Sequence, residues 1–219
     1  MSTVDALLEP IIHSPYFAEI LDRLQQTDVD ERQRRALFYA EMTPEQKVEF
    51  IDGEVILHSP ARVEHLDVTV AILTLLHTYV RRRRSGSVYS EKCLCVFPRN
   101  DYEPDVVYFG PEKAARILPK TMKFPIPDLV VEVLSDSTAS RDRGVKFQDF
   151  EAHGVIEYWI VDADTKTVEQ YTRQGERLEL AMKSSSGELR SVSVPGFVVP
   201  VAAFFDEEEH LRAMQALFA

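Results

Sequence analysis

Glu132 is a charged residue inside an otherwise apolar run, DLVVEVL, which extends from Asp128 to Leu134. The run is short and rich in valine, so it predicts a strand buried on both faces rather than a helix. Taking an ionised carboxylate out of water is costly unless the group is paired, hydrogen-bonded or bound to a metal. Glu132 is therefore an acid with a chemical role, a member of a structural ion pair, or an edge residue whose side chain faces water.

Asp105 is a second candidate acid, because it begins another apolar strand in the segment EPDVVYF. If this strand lies next to the strand of Glu132, the two carboxylates converge and repel each other unless a cation lies between them. Mg²⁺ and Mn²⁺ prefer oxygen ligands, so either ion would resolve the repulsion. A hydrolase that uses the two carboxylates as acid and base without a metal is also consistent with these residues.

Lys146 can reach the same place from a helix. The segment RDRGVKFQDFEAHG places Asp142, Lys146 and Phe150 at four-residue steps, and hence on one helical face. If Phe150 packs inward, the lysine stem lies over the sheet and carries its ammonium towards the two acids. The alternative is a surface pair between Asp142 and Lys146, which would contribute less than ~1 kcal/mol.

Helices are expected before and after these strands. Apolar spacing predicts helical structure over residues 15–42, and TPEQ at residues 43–46 matches a capping box, which predicts a short helix that begins there with proline as its first residue. A long amphipathic helix is predicted over residues 65–79. Asp206 is a suitable N-cap for a final helix in EEEHLRAMQALF.

The strand signals define an order of elements. Asp52-Gly53 within VEFIDGEVILH predicts a hairpin over residues 48–58. Single strands are predicted in SVYSEKCLCVF, DVVYF, DLVVEVL and EYWIVD, and further strands in TVEQYTR, RLELAMK and SVSVPGFVVPV. The predicted core order is helix, three strands, helix, strand.

The composition is that of an ordinary globular protein of 219 residues, large enough for one domain with a sizeable core. The net charge of −11 argues against broad electrostatic affinity for nucleic acid, so any such contact must be local. Cys93 and Cys95 alone make neither a zinc site nor a disulfide framework, and we expect both to be buried. No apolar run is long enough to span a bilayer and no signal peptide is recognisable, so we expect a cytoplasmic protein.

Several ordered segments resemble the Uma-type family of prokaryotic endonucleases, which belongs to the PD-(D/E)xK superfamily: EFIDGEVILHSP, HLDVTVAILTLL, EPDVVYF, PDLVVEVLSDST, DRGVKF and HGVIEYWIVD. The resemblance implies an α/β (α+β) fold with a restriction-endonuclease-like core, in which a mixed central sheet is flanked by helices. This core would cover residues 44–172. Residues 1–43 would then form an N-terminal helical extension, and residues 173–219 would form strands and a helix packed on the same domain.

The resemblance implies roles for individual residues. Asp105, which follows a proline, matches the acid of the PD half, and Glu132 matches the acid of the second half. Leu134 stands where the superfamily motif has its lysine, so this chain departs from that pattern. Lys146, on the following helix, is similar in position to the lysine that this family uses instead.

Further candidates come from the flanking segments. Glu49 resembles the family's upstream acid, and Glu54 is the alternative, although either can be an ordinary hairpin residue. His65 opens the long helix and is expected to line the same cleft or to serve as a helix cap. The secondary candidates are His65, Glu54 and Asp142, and nucleic-acid contacts are expected from Arg141 and Arg143.

The function that the resemblance implies is hydrolysis of phosphodiester bonds by a nuclease that depends on Mg²⁺ or Mn²⁺. Asp105 and Glu132, with the backbone carbonyl of Val133, would hold the metal, and Lys146 would act beside it. The expected partners are nucleic acid, DNA in preference to RNA, and a second copy in a homodimer, with no membrane. The alternative is a catalytically silent dimerising or regulatory module on the same fold.

Overall fold

The computed structural model describes residues 3–43 and 45–218, and its strands coincide with segments rich in valine and other β-branched or aromatic residues. The helices are α1 (Thr3–Ile12), α2 (Phe17–Glu41), α3 (Val63–Arg83), α4 (Pro111–Ala114), α5 (Ala139–Asp142), α6 (Val145–Ala152) and α7 (Glu207–Ala216). The strands are β1 (Val48–Ile51), β2 (Glu54–Leu57), β3 (Ser87–Ser90), β4 (Leu94–Val96), β5 (Asp101–Tyr102), β6 (Val106–Phe109), β7 (Lys123–Phe124), β8 (Leu129–Val133), β9 (Glu157–Asp162), β10 (Thr167–Gln174), β11 (Arg177–Ser184), β12 (Glu188–Arg190) and β13 (Val198–Pro200).

The larger sheet has six strands in the order β11-β10-β9-β8-β6-β3. β8 and β9 are parallel, and the other neighbours are antiparallel. A parallel pair needs a crossover connection, which α5 and α6 supply between β8 and β9. All residues of β8 are buried, which confirms the strand predicted to be buried on both faces. The predicted core order of helix, three strands, helix and strand is also confirmed, as α3, β3, β6, β8, α6 and β9.

The smaller sheet has five strands in the order β2-β1-β5-β4-β7. β1 and β2 form the predicted hairpin, in which Val48 pairs with Leu57. Asp52 and Gly53 have φ angles of 50° and 81°, the positive values that a two-residue hairpin turn requires. β1 is fully buried and β2 is largely exposed, so the hairpin forms one edge of this sheet.

Three hydrophobic clusters hold the layers together. The largest lies between α3 and the six-stranded sheet and contains Leu76 and Trp159. The second lies between the two sheets and α6, and contains Phe97 and Phe150. The third joins α2 to the five-stranded sheet through Phe38. The order of layers is therefore α2, the smaller sheet, the larger sheet and α3.

The N-terminal arm, defined as α1 and α2, buries few of its side chains. No residue of α1 is buried, and Phe38 is the buried residue of α2. Arg35 anchors the arm, because its guanidinium donates to both carboxylate oxygens of Asp101, at 2.7 and 2.6 Å, and to three backbone carbonyls within residues 97–100. The prediction of helix over residues 15–42 is confirmed, and α1 extends the helical structure further.

Within residues 3–43 and 45–218, no helix has the length and apolar character to cross a membrane.

Thr43, Glu45 and Gln46 are not helical, so the described residues do not form the helix predicted to begin at residues 43–46. Gln46 donates its N–H to the carbonyl of Thr43 in a turn, and β1 starts at Val48. Pro44, the predicted first helical residue, lies outside the described residues. The capping signal is local, whereas β1 must pair with β2 and β5 close behind the end of α2, so pairing in the sheet overrides it.

Two predicted strands are also interrupted. SVYSEKCLCVF forms β3 and β4 in different sheets, because Glu91 and Lys92 both adopt left-handed backbone conformations, with φ angles of 47° and 44°. SVSVPGFVVPV contributes only β13, since residues 191–197 form an irregular loop.

Cys93 and Cys95 are buried free thiols, as predicted. Asp206 caps α7 as predicted, because its side chain accepts the N–H of Glu209.

Candidate active site

Asp105 and Glu132 lie at the same edge of the six-stranded sheet. β6 and β8 are antiparallel, and Val106 lies opposite Val131. Asp105, which precedes β6, therefore lies beside the carboxyl end of β8, where its Oδ2 accepts a hydrogen bond from the N–H of Val133 at 2.8 Å. Both acids are buried. The structure thus brings together the two carboxylates that the sequence places on neighbouring strands.

Lys146 reaches these acids from α6. Gly144 separates α5 from α6, and a Cβ at this position would lie 2.7 Å from a backbone oxygen of α5, so the tight junction requires glycine. The Nζ of Lys146 lies 2.9 Å from Oε1 of Glu132 and 2.9 Å from Oε1 of Glu49. Oδ1 of Asp142, one helical turn earlier, lies 3.3 Å away. Because Asp142 and Lys146 are each 1% exposed, they do not form the surface pair considered as the alternative.

The three carboxylates around Lys146 differ in their preference for a proton. Burial raises the pKa of Glu132 well above its ordinary value, and the neighbouring carboxylates add to this shift while Lys146 opposes it. Burial also disfavours the ionised form of Glu49, but Lys146 and His58 outweigh burial and lower the pKa of Glu49 to about 2. Burial disfavours the Lys146 ammonium, yet the carboxylates raise its pKa. Lys146 therefore stays charged, and the acids can accept further positive charge.

Asp105 is surrounded by basic groups. Its Oδ1 lies 2.8 Å from Nζ of Lys47 and 3.4 Å from Nε2 of His65. Burial disfavours the ionised carboxylate, but His65 and Lys47 outweigh burial and lower the pKa of Asp105 well below its ordinary value. Burial likewise disfavours the imidazolium of His65, while Asp105 raises the pKa of that ring. Asp105 therefore stays ionised and attracts cations.

One group of side chains in the described part of the chain has the spacing of a metal site. The ligand atoms of His65, Glu91 and Asp105 all lie within 4.8 Å of one another. The left-handed kink after β3 brings Glu91 to this place. An imidazole and two carboxylates suit a divalent transition ion such as Mn²⁺. Glu132, the other predicted ligand, lines the same cleft, and its Oε1 accepts a hydrogen bond from Lys146.

These groups line a cleft of about 800 Å³ between the β1-β2 hairpin, the start of α3 and the end of β8. A volume in this range accommodates a small-molecule-sized group such as one nucleotide. Lys47, Arg62 and Lys92 also line the cleft. Basic side chains therefore border the acidic centre, although the net charge of the chain is −11.

Three other predicted residues neither line the cleft nor contact Lys146. Glu54 is exposed on β2, whereas Glu49 contacts Lys146, so the hairpin supplies Glu49 to the site rather than Glu54. Arg141 and Arg143 do not line the cleft either. Arg143 donates to both carboxylate oxygens of Glu169, at 2.6 and 3.1 Å, so its guanidinium is already engaged within the fold.

Lys47 and His58 belong to the site but were missed in the sequence. Nε2 of His58 lies 3.0 Å from Oε2 of Glu49, and the N–H of His58 donates to the carbonyl of Lys47 across the hairpin. A signal was present, because Lys47 and Glu49 are two residues apart and so point to the same side of an extended chain. His58 follows the hairpin in a position that only the strand register reveals.

Known proteins provide a comparison with this geometry. A family model described as "Uma2: Putative restriction endonuclease" matches residues 33–202. The uncharacterized protein sll1609 of Synechocystis sp. is 30% identical over 139 residues, which cover 60% of this chain and 75% of that protein. A crystal structure from Anabaena variabilis, described as a "putative nuclease belonging to DUF820", aligns with a TM-score of 0.65 at 19% identity and covers 77% of this chain and 94% of that one.

The likeness to the Anabaena variabilis crystal structure shows that this chain has the predicted restriction-endonuclease-like fold, with a mixed sheet flanked by helices. The family model matches most of the chain and includes the whole candidate site, from Lys47 to Lys146. The family match supports a nuclease function. The family predicted from the ordered motifs is therefore confirmed, and the chain belongs to the Uma2 restriction endonuclease family.

Proposed function

We propose that the protein is an endonuclease that hydrolyses phosphodiester bonds of nucleic acid, DNA in preference to RNA, with Mg²⁺ or Mn²⁺ as its cofactor. The observation that carries this proposal is the buried ammonium of Lys146, which contacts carboxylates from three elements at the edge of an open cleft. Buried charges of this kind are weak sources of stability, because desolvation offsets most of their attraction. A chemical role accounts for their presence better than a structural one.

The residues of the cleft fit a hard divalent cation. Four buried carboxyl groups share the ammonium groups of two lysines, so the acids outnumber the lysines in this cluster. Asp105 and Glu132 are the proposed ligands, together with the carbonyl of Val133, and His65 and Glu91 extend the set of donors around Asp105. A bound metal would polarise a phosphoryl oxygen and lower the pKa of a water molecule.

Lys146 is the proposed catalytic cation of the chain itself. Its Nζ donates a hydrogen bond to Glu132 and forms an ion pair with Glu49, each at 2.9 Å. These two contacts fix the position of the ammonium. From this position it would donate to the attacking water or to a phosphate oxygen on which negative charge develops. Glu49 and Asp142 act through Lys146 and are therefore positioning residues.

Calorimetric titration of Mn²⁺ tests the proposal without knowledge of the substrate. We expect the wild type to bind Mn²⁺ and the Asp105→Ala variant to lose that binding with its fold intact. Glu54→Gln is the matched control, because it removes a carboxylate from the same half of the chain but outside the cleft, and it should bind Mn²⁺ like the wild type. Cleavage of duplex DNA, single-stranded DNA and RNA by the wild type then identifies the substrate.

The titration also tests the alternative, a catalytically silent module. A wild type that binds no Mn²⁺, even with a short oligonucleotide present, would favour the dimerising or regulatory module that the sequence leaves open. Binding without cleavage of any of the three nucleic acids would keep the metal site and remove the catalytic role.

We also propose that the N-terminal arm joins two copies of the chain in a homodimer. Ten large apolar side chains of the arm and of the turn between its two helices are at least 40% exposed: Val4, Leu7, Leu8, Ile12, Tyr16, Phe17, Leu21, Leu24, Val29 and Leu37. Covering all ten on both copies would bury about 2,000 Å² in total, at the upper end of the standard range for specific interfaces. The arm before Arg23 has four acids and no lysine or arginine, so antiparallel pairing is favoured because it separates the two acidic ends.

Sedimentation equilibrium tests the dimer. We expect the wild type to dimerise and a Leu7→Glu, Leu21→Glu double variant to be monomeric. Leu180→Glu, an exposed leucine of β11 outside the arm, is the control and should leave the dimer unchanged. A wild type that stays monomeric at high micromolar concentration would refute the pairing.

A further inference from the structure

The ammonium of Lys47 lies beside the carboxylates that would bind a metal ion. The residue stands immediately before β1, where its carbonyl accepts the N–H of His58, so its backbone is fixed by the hairpin. Its Nζ lies 2.8 Å from Oδ1 of Asp105 and 3.5 Å from Oε2 of Glu91. Two of the three side chains with metal-site spacing are therefore contacts of this one ammonium.

The carboxylate of Asp105 already has three nitrogen partners, two of them at Oδ1. Oδ1 already lies within contact of Lys47 and His65, and Oδ2 accepts the N–H of Val133. A carboxylate oxygen has two lone pairs, so a metal ion at Oδ1 must displace one of its two nitrogen partners. An ammonium and a divalent cation on the same oxygen would also repel each other strongly.

Lysine is suited to leave this position. Its side chain is a flexible four-carbon stem with a compact charge, and here the side chain is 20% exposed at the wall of the cleft. His65 is less free to leave, because its backbone lies within the first turns of α3. Lys47 can therefore swing into the cleft while the ring of His65 remains beside Asp105.

We propose that Lys47 acts as a counter-ion to Asp105 in the metal-free protein, that a divalent metal displaces it from Asp105, and that the released ammonium then contacts a phosphate of the bound nucleic acid. This inference rests on the proposed function and deepens it. The lysine neutralises Asp105 and Glu91 while no metal is bound, and it lowers the apparent metal affinity because the two cations compete. Binding of the metal and binding of nucleic acid then strengthen each other, because Lys47 is free to contact a phosphate only in the metal-bound state.

Titration of Mn²⁺ into Lys47→Met tests the competition. Methionine keeps much of the length of the side chain and removes its charge, so we expect Mn²⁺ to bind at least tenfold more tightly than to the wild type. Lys113→Met is the matched control: it breaks a comparable lysine contact, 2.6 Å from Asp128, and removes the same charge from the chain outside the cleft. That variant should bind Mn²⁺ with the affinity of the wild type.

A second measurement uses the wild type and so does not depend on how the variant folds. A short pulse of acetic anhydride, followed by peptide mass spectrometry, reports how accessible each lysine amine is. We expect Mn²⁺ to increase the acetylation rate of Lys47 several-fold, because the amine leaves its carboxylates, and to leave the rate of Lys113 unchanged.

The outcomes separate this inference from the proposed function. Equal Mn²⁺ affinities of the wild type and Lys47→Met, or an acetylation rate of Lys47 that Mn²⁺ does not increase, would overturn the exchange and leave the metal site in place. Failure of both proteins to bind Mn²⁺ would overturn the proposed metal dependence and the exchange with it. Binding to Lys47→Met that is tenfold tighter and lost again in a Lys47→Met, Asp105→Asn variant supports the exchange at this carboxylate.

Discussion

Two buried glutamates lie at opposite ends of the same pair of strands. Glu132 lies near the carboxyl end of β8, and Glu157 begins β9, opposite Leu129 at the amino end of β8. Both side chains are at most 4% exposed. Glu132 shares the ammonium of Lys146 with two other carboxylates, whereas Glu157 accepts five hydrogen bonds from neutral donors, namely the indole of Trp159, the amide of Gln170, the hydroxyl of Ser191 and the N–H groups of Val192 and Ser193.

Under the proposed function, this difference separates a structural acid, Glu157, from an acid with a chemical role, Glu132. Neutral dipoles satisfy Glu157 and bind residues 191–193 to the sheet, so the whole hydrogen-bonding capacity of the carboxylate is used within the fold. Around Glu132 the acids outnumber the lysine, and Glu132 and Lys146 line a cleft. Burial alone therefore does not indicate a reactive carboxylate, whereas a buried cluster in which acids outnumber bases at a cleft marks a candidate site.

The largest expected effect is on cleavage, and it separates the two glutamates directly. Glu132→Gln should reduce Mn²⁺-dependent cleavage about 10³-fold, or ~4 kcal/mol of transition-state stabilisation, because a neutral amide is a poor ligand for the metal. Glu157→Gln is its matched control and should keep the rate within about threefold. Single-turnover cleavage of a DNA substrate measures both rates, and similar losses in the two variants would contradict the distinction.

The second prediction concerns the stability that Glu157 provides. Glu157→Ala should lower the free energy of unfolding by about 3 kcal/mol, because several buried donors lose their acceptor at once. Glu188→Ala, an exposed glutamate of the nearby β12, should change it by less than about 0.5 kcal/mol. Urea denaturation compares the two variants, and a loss at position 157 no greater than at position 188 would show that the network is not stabilising.

The third prediction reverses the sign of the stability effect. With metal removed by a chelator, Glu132→Gln should raise the free energy of unfolding by about 1–2 kcal/mol at neutral pH, because it takes one negative charge out of a crowded cluster while Lys146 keeps Glu49 and Asp142. Thermal unfolding in EDTA measures the change. A destabilised Glu132→Gln variant would mean that the cluster is optimised for stability, like the network of Glu157.

The smallest expected effect on the free energy of unfolding concerns a third buried acid, Glu169, whose surroundings differ from those of both Glu132 and Glu157. Glu169 is bonded to Arg143, Lys183 and the hydroxyl of Tyr171, so cations rather than neutral dipoles dominate its surroundings. Burial opposes its ionisation, but these partners lower its pKa from 4.5 to about 2. Its contribution to stability is therefore complete above pH 4.5 and is lost as the pH falls towards 2.

Glu169→Gln should accordingly cost about 1 kcal/mol at pH 7 and nothing near pH 2, with a smaller cost in high salt because one arginine and one lysine of the cluster are partly exposed. Urea denaturation at the two pH values and at two salt concentrations measures these differences. A cost that is the same under all four conditions would place Glu169 with Glu157 among acids satisfied by dipoles.

The sequence predicted the acids of the site because their signals are local. Asp105 and Glu132 each lie in or beside a short apolar strand, and neighbouring strands bring them together. Lys146 needed the family resemblance as well, since its helical spacing alone also fitted a surface pair with Asp142. Glu157 was correctly predicted to be a strand residue, but four of its five donors come from a later strand and a loop that no local pattern identifies.

The remaining parts of the site depend on tertiary structure. Lys47 and His58 meet Asp105 and Glu49 only because β1 pairs with both β2 and β5. Glu91 reaches Asp105 through two successive left-handed residues, which the sequence gives no reason to expect at Glu91 and Lys92. The same dominance of sheet pairing over local signals explains why Thr43, Glu45 and Gln46 are not helical despite the capping-box pattern.

The attachment of α2 through Arg35 has a mechanical consequence. The helix has 25 residues, and the segment from Arg35 back to Phe17 spans about 27 Å at the usual rise per residue. Since the guanidinium and the nearby Phe38 fix one end, α2 is a lever with its pivot at the core. A tilt of about 10° at the pivot would displace the far end of α2 by about 5 Å while moving Asp101 hardly at all. Small torques at Arg35 therefore become large displacements of anything that the arm carries.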